Sequence, residues 1–535
     1  MTATGLEPRG RAGRVGPAGR RVLAAAIVRV VIAVAAGMAA PATAAAQGAA
    51  AGPGVLRVVA PWEIGSLDPS SAGYVFTRLE VAETLVDADD AGTLIPGLAS
   101  SWTVSSDQLS WRFTLRRGAR FHDGSPVTAD AVVRALERAR ARPGLLRSVP
   151  IKSISASGAE VLVELGRPFA ALPAFLAHSS TLVLAPASFA ADGSVQSIIG
   201  SGPYKVASMQ PPQKIAVQRF DGWQGGKPAI ERVEYLAAGR AETRSLLARS
   251  GQADLVFTHD PANFETLRRQ AGIVFHSLPI PRAVYLKVNS GHRILGDADV
   301  RRAISLAIDR PGIAAAVLRE PRAAATQLFP PSVQEWHVAG LQPLTRDLQQ
   351  ARQLLASRGW TPGADGWLSR GGVPFKVTLR TYPDRPELPV IAAAVQAQLK
   401  QVGIDVVVAI GNSSEVPSGH KDGSLELALV ARNYALVPDP IGTMLQDFGP
   451  EGGDWGAMNW RSASVGSALD ALSLTDDPQR RSVQRGVVAT VIQAELPVIP
   501  IAWYQHTATS STRLAGVSID PLERSYRLSR MKWVK

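Results

Sequence analysis

Cysteine is absent from all 535 residues. Its absence excludes a disulfide framework, a cysteine-ligated zinc or iron–sulfur site, a thiol nucleophile and a lipid-modified cysteine anchor. The usual local catalytic signatures are missing too: there is no Gly-x-Ser-x-Gly elbow, His-Glu-x-x-His, Gly-x-Gly-x-x-Gly or P-loop. The eight histidines (122, 178, 259, 276, 292, 337, 420, 506) never pair at i, i+3 or i, i+4, so no metal site built from local protein ligands is expected. No basic stripe is interleaved with aromatics, so nucleic acid is not an expected partner. A catalytic site assembled from residues distant in sequence stays open.

What is present is ordinary globular material: 46% hydrophobic and 19% charged residues. The length exceeds one compact core and suggests about two to four domains. Net charge is +12, of which the first 46 residues supply +5 through Arg9, Arg11, Arg14, Arg20, Arg21 and Arg29 against Glu7. The rest is spread without a block, as on a solvated mixed-charge surface. Residues 22–40 are almost wholly apolar, and the small-residue run PATAAAQGAAAGPG follows. A basic start, an apolar middle and an Ala-x-Ala end predict a signal peptide over 1–46, cleaved after Ala44 or Ala46. Arg29 interrupts the apolar run, leaving too little for the roughly 20 residues of a spanning helix. Arg20-Arg21 leaves the general and twin-arginine export routes both open. The mature chain is expected to be periplasmic, without a lipid anchor.

From Val55 onward, short β-rich runs alternate with amphipathic helical runs, the pattern of a mixed α/β protein. LRVVAPW (56–62), LSWRFTLR (109–116) and AEVLVEL (159–165) read as strands. Asp123-Gly124 marks a turn, Thr128 an N-cap, and Val132, Val133 and Leu136 one apolar helix face ended by Pro143-Gly144. Residues 297–318 place Val300, Ile304, Ala307 and Ile308 at helical spacing, with a second short helix beside Pro311. A helix within 346–360 stops at Gly359. FKVTLRTY (375–382), a helix over 388–402 closed by Gly403, and IDVVVAI (404–410) form a unit whose strands pair in parallel. A helix near 478–495 precedes LPVIPIAWY (496–504). Ser201, between Gly200 and Gly202, reads as a tight turn rather than a nucleophile.

Taken together, these segments resemble the family-5 extracytoplasmic solute-binding proteins of ATP-binding-cassette (ABC) importers, the group that includes dipeptide-, oligopeptide- and nickel-binding proteins. The main likeness is GTLIPGLASSWTVSSDQLSWRFTLRRGARFHDGSPVTADAVV (92–133), which resembles that family's signature almost position by position. LRVVAPWEIGSLDP, IIGSGPYKV (198–206), SGQADLVF (250–257), VRRAISLAIDR (300–310), VPDP (437–440), MNWRSASVGSALDAL (458–472) and LPVIPI follow in the family's order. Most signature residues are expected to hold the fold, with Trp102, Trp111 and Phe113 filling a core face.

The resemblance implies a two-lobed α/β periplasmic-binding-protein fold of type II, large cluster, with an extra subdomain on lobe one. Lobe one is expected over 52–279, with 500–535 returning to it, and lobe two over 280–499. VYLKVN (284–289) and LPVIPIAWY are the expected hinge crossovers. It also implies a non-enzymatic, monomeric receptor with no cofactor and no protein-caged metal. Its partners would be a peptide-like, opine-like or metal-chelate solute and the transmembrane permease subunits. A nickel-metallophore receptor, a periplasmic hydrolase and a chaperone or sensor are the alternatives.

In peptide-binding members, an aspartate three positions before an Asp-Pro pair meets the ligand's α-amino group. Here Asp439-Pro440 is preceded by Leu436, and a buried ammonium without a carboxylate costs on the order of several kcal/mol. Free-amino peptides are therefore disfavoured. The nickel-binding members' histidine after Asp-Pro has no counterpart in DFGPEGGDWGAMNW, and their carboxylate-binding arginine falls near His178-Ser179. Nickel is thus expected only as a small-molecule chelate. The candidate ligand-binding residues are Tyr74, Phe76, His178, Ser179, Arg432, Asn433, Tyr434, Trp455, Asn459, Trp460, Trp503, Tyr504 and His506. Arg432 offers a bidentate fork to a ligand carboxylate or, alternatively, to a structural salt bridge. The aromatics offer broad faces with few rotamers to freeze.

Overall fold

The computed structural model describes residues 54–142, 144–450 and 452–534. The expected signal peptide, 1–46, lies outside them. Ten strands make the central sheet, in the spatial order Asp405–Ile410, Lys376–Thr381, Leu427–Asn433, Ile273–Val288, Val498–Ser511, Leu255–Phe257, Val55–Ala60, Arg232–Ala237, Lys214–Arg219 and Tyr204–Gln210. One flank thus comes from residues 376–433 and the other from 55–257. The middle is an antiparallel pair of long strands, 16 and 14 residues, whose registers run together for most of their length. Their inner residues, from Ile280 to Val288 and from Val498 to Ala502, are buried on both faces, which suits the Val/Ile/Leu-rich composition of a covered sheet.

That central pairing has a fault. The register shifts between Ile280 and Ala283, beside Pro279 and Pro281. Proline has no N–H to give to a ladder, so a strand carrying two of them bulges where they fall. The Pro281 carbonyl instead accepts the Tyr434 N–H at 2.8 Å. The ladder is therefore irregular at the point where the chain passes from one flank to the other.

A separate four-stranded antiparallel sheet runs Ala99–Val104, Ser110–Leu115, Glu160–Leu165, Ile151–Ser157. The period-two pattern of 109–116 buries Trp111, Phe113 and Leu115 on one face, and Trp102 is the register partner of Phe113. Helix Ala129–Ala141 covers this sheet; the Thr128 hydroxyl caps it by accepting the Ala131 N–H at 3.2 Å. The Ala170 N–H donates to the Ser473 carbonyl at 2.8 Å, tying this part of the chain to helix Ala463–Leu474.

The other anticipated elements form with small changes of boundary. Helices Ala298–Ala307 and Arg310–Ala316 are capped by Asp297 and Asp309. Helices Leu348–Ser357 and Glu387–Lys400 are followed by Gly359 and Gly403 in the left-handed region, at φ +79° and +81°. Strands Lys376–Thr381 and Asp405–Ile410 pair in parallel. One expectation is corrected: Gly200-Ser201-Gly202 is not a turn. It runs without regular structure against Glu80–Ala82, where an added Cβ would lie 2.1 Å from the Val81 carbonyl oxygen at Gly200 and 2.2 Å from that of Glu80 at Gly202. Glycine stands there because two backbones touch. No helix among the described residues is long and apolar enough to cross a membrane.

Candidate ligand-binding site

A cavity of about 940 Å³ has Tyr74, Ser179, Leu436, Glu523 and Arg524 in its wall, which joins residues from well-separated parts of the chain. Its volume is that of a small-molecule site. Tyr74 reaches it from helix Pro69–Arg78, whose Gly73 lets the helix press on the Ser179 carbonyl; a Cβ there would stand 2.1 Å from that oxygen.

Glu523 organises the polar groups beside this cavity. Its carboxylate accepts from Arg282 Nη2 and, at 2.5 Å, from Asn433 Nδ2, while its carbonyl accepts Arg78 Nε at 2.9 Å. Burial alone would keep Glu523 protonated, but the guanidiniums of Arg282, Arg78 and Arg385 outweigh it and hold the carboxyl down at about 2. Aromatic faces support these arginines. Arg78 lies 3.9 Å above the Trp62 ring centroid, and Arg282 and Arg385 lie 4.9 and 5.1 Å from that of Tyr504. The Tyr504 hydroxyl accepts Arg385 Nη1 at 2.9 Å. His506 stacks on Phe257, its Nδ1 4.0 Å from Glu523; burial pushes it down to about 4, so it is neutral near pH 7.

A second polar cluster adjoins the first. Arg432, at the end of strand Leu427–Asn433, gives its fork to Asp447 at 2.6 and 2.8 Å and also meets Gln446. Of the two uses open to this side chain, the structure shows the internal salt bridge. His178 Nδ1 accepts the Ser180 N–H at 3.1 Å; burial foremost, with Arg524 and Arg432 adding, lowers this histidine to about 4. Lys287 is buried, donates to the Gly453 and Gly456 carbonyls at 2.8 and 2.5 Å, and is lowered by desolvation to about 7.

Of the candidates read from sequence, Tyr74, Asn433, Tyr504 and His506 gather round Glu523 and the cavity. Ser179 lines the cavity, and His178 lies beside it in sequence. Phe76 is fully buried in the core. Tyr434 packs at 4.8 Å from Phe329 with its hydroxyl unpartnered. Trp455, Asn459 and Trp460 belong to a segment held by Tyr285 Oη, on the long strand Ile273–Val288, donating to the Trp455 carbonyl, and by Asn459 Nδ2 donating to Oδ1 of Asn289, just past that strand. Trp460 Nε1 donates to Glu495 at 2.6 Å, and Trp503 Nε1 to the Gln327 carbonyl at 3.1 Å. The sequence reading passed over Trp62, Arg78, Arg282, Arg385, Glu523 and Arg524. One signal was there: Arg282 and Lys287 interrupt the otherwise apolar run IPRAVYLKV. Among the described residues, no group of three or more His, Asp or Glu stands ready to hold a metal ion.

Two sheet flanks joined through a pair of long strands with a shifted register, and a solute-sized cavity walled by distant segments, suit a two-lobed binding protein. The chain belongs to the bacterial extracellular solute-binding proteins, family 5, whose model matches residues 93–455. As such it is a solute-binding component of an ABC importer. It is 25% identical over 511 residues to the nickel-binding periplasmic protein of Escherichia coli K12, covering 91% of this chain and 96% of that one. Two solved structures share the fold. Helicobacter pylori DppA, in complex with peptide STSA, has TM-score 0.78 at 22% identity, covering 90% of this chain and 98% of that one. AgaA of A. tumefaciens R10, in complex with agropinic acid, has TM-score 0.78 at 21% identity, covering 90% of this chain and 99% of that one.

Proposed function

We propose that this protein is exported, loses residues 1–46, and works in the periplasm as a monomeric receptor. It captures a peptide-like, opine-like or metal-chelate solute and hands it unaltered to a membrane permease. Lobe one comprises 52–279 with 500–535, lobe two 280–499, and the hinge crossovers run through 284–289 and 496–504, next to the Ile280–Ala283 register shift. The observation that carries the reading is the cavity itself: its wall takes Tyr74, Ser179 and Glu523 from one lobe and Leu436 from the other. Contacts made from both sides exist only when the lobes are closed, so solute favours closure by its differential affinity. The Ala170–Ser473 hydrogen bond is a further link of that kind. The solutes named for the similar proteins, a metal, a peptide and agropinic acid, support the breadth of the class.

Native mass spectrometry of the purified mature protein tests this reading, followed by incubation with di- to pentapeptides, opines and nickel–histidine complexes. A bound solute recovered at its supplied mass is expected. A converted product would replace the receptor with an enzyme on this scaffold.

A further inference from the structure

We propose that residues 452–459 form a proton-linked cover over the Lys287 amine, seated while the amine is neutral and lifted when it carries its proton. Lys287 lies on strand Ile273–Val288 and is fully buried. Its register partners on the two neighbouring strands, Ala428 and Val498, bring no charge. Its Nζ donates to the Gly453 and Gly456 carbonyls and, among the described residues, makes no ion pair. Burying an ammonium against two neutral carbonyls is costly, and two routes relieve the cost: loss of the proton or entry of water. Desolvation lowers the group to about 7, so the first route is open near neutral pH.

The way in for water is through the cover. Residues 452–459 contain neither helix nor strand, and Asp454 and Asn459 are exposed. Beyond Lys287, the segment is tied down by Tyr285 Oη on the Trp455 carbonyl at 2.9 Å and by Asn459 Nδ2 on Asn289 Oδ1 at 2.8 Å. The Ala457 N–H donates to the Asp447 carbonyl at 2.8 Å, and the Ser290 N–H to the Met458 carbonyl at 2.9 Å. Tyr285, Lys287 and Asn289 alternate along the chain and so present one face to the segment. The sheet on either side of Lys287 is a continuous ladder, which opens at higher free energy than an irregular segment.

The sign with pH follows from the two environments. Uncovered, the amine titrates near its ordinary 10.5; covered, at about 7. The open form binds more protons between these values, so the open fraction falls as pH rises, by about tenfold or more from pH 6.5 to 8.5. The charged groups facing Lys287 are Asp447 on helix Ile441–Phe448, Asp454 on the cover, Arg432 on strand Leu427–Asn433 and His420 on helix Glu415–Lys421. Burial lowers His420 below 6.5, beneath this window, and raises the nearby Tyr285 and Tyr434 hydroxyls above it. Burial pushes Asp447 up, and a carboxyl of that kind gives the opposite sign, because its covered form binds the extra proton.

Hydrogen exchange of the purified protein, with no solute added, tests the cover from pH 6.5 to 8.5. After division by intrinsic rates, protection of the Gly453, Ala457 and Ser290 amides should rise about tenfold or more, and stay below that of strand Leu427–Asn433 throughout. Lys287→Met should abolish the rise. Lys287→Arg, charged across the window, should abolish it too and serves if the methionine variant does not fold. Level or falling protection in wild type overturns the inference, as does a wild-type slope in a folded variant. Protection equal to that of the strand also overturns it, since the segment would then open only with the whole fold. No solute enters the experiment, so the receptor reading stands or falls separately.

Discussion

Replacing Arg432 by alanine separates two ways of using an arginine. Were its fork kept for a ligand, truncation would spare the fold and weaken anion binding. The structure commits it to Asp447, whose side chain is 1% exposed, against 16% for that of Arg432. Burial drives the Asp447 carboxyl upward, and Arg432 is the main group opposing that. Arg432→Ala would leave the carboxylate buried with only Lys287 in reach, a loss of roughly 3–5 kcal/mol. The folded unit spans 53–535. At about 2.1 cal/mol/K per residue its unfolding entropy is on the order of 1 kcal/mol/K, so Tm should fall by about 3–5 °C. The sign with pH follows. In the variant the folded-state Asp447 pKa lies further above its unfolded value, so the folded protein binds the extra proton and stability declines as pH rises. The deficit in scanning calorimetry should be smaller at pH 5 than at pH 8, and adding Asp447→Asn should restore part of it. A Tm within about 1 °C of wild type at both pH values would refute the reasoning.

The buried histidines give the molecule an acid limit: desolvation lowers His122, His178 and His506 to about 4 and His259 to about 3. Unfolded, each binds its proton near pH 6.5, so this stability is complete above that value and drains as pH falls toward 4, each site contributing up to about 3 kcal/mol; a urea midpoint equal at pH 7 and pH 4.5 would contradict it. Gly202→Ala should cost about 1–3 kcal/mol or more through the clash with the Glu80 carbonyl, read as a lowered calorimetric Tm, and an unchanged Tm would remove the close-approach argument. Leu436→Asp puts a carboxylate on the cavity wall, three positions before Asp439-Pro440. It should favour Ala-Phe over N-acetyl-Ala-Phe by about tenfold in calorimetric titration, and equal affinities would show that this position does not face an amine.

Much of the fold was legible because its signals are local. Thr128, Gly359 and Gly403 each mark a helix end through their own backbone or side-chain chemistry, and the alternation in 109–116 selects a face without reference to any partner. The Gly200-Ser201-Gly202 segment could not be read that way, since its glycines answer to Glu80–Ala82, a backbone more than a hundred residues earlier. The polar site is harder still. Arg282 and Arg78 meet Glu523 across 241 and 445 residues of chain, and nothing near Glu523 in DPLERSY announces it. Arg432 was visible as a fork, but its partner lies 15 residues on, on helix Ile441–Phe448, and only the folded chain shows that the fork is used. Charge within an apolar strand, as at Arg282, was the one legible mark of the cluster.

Small-angle X-ray scattering with and without a saturating solute, identified by native mass spectrometry, bears most directly on the lobed capture mechanism. Bound protein should show a smaller radius of gyration than the solute-free form, as two lobes draw together about the 284–289 and 496–504 crossovers. Identical scattering curves in the two states would contradict it.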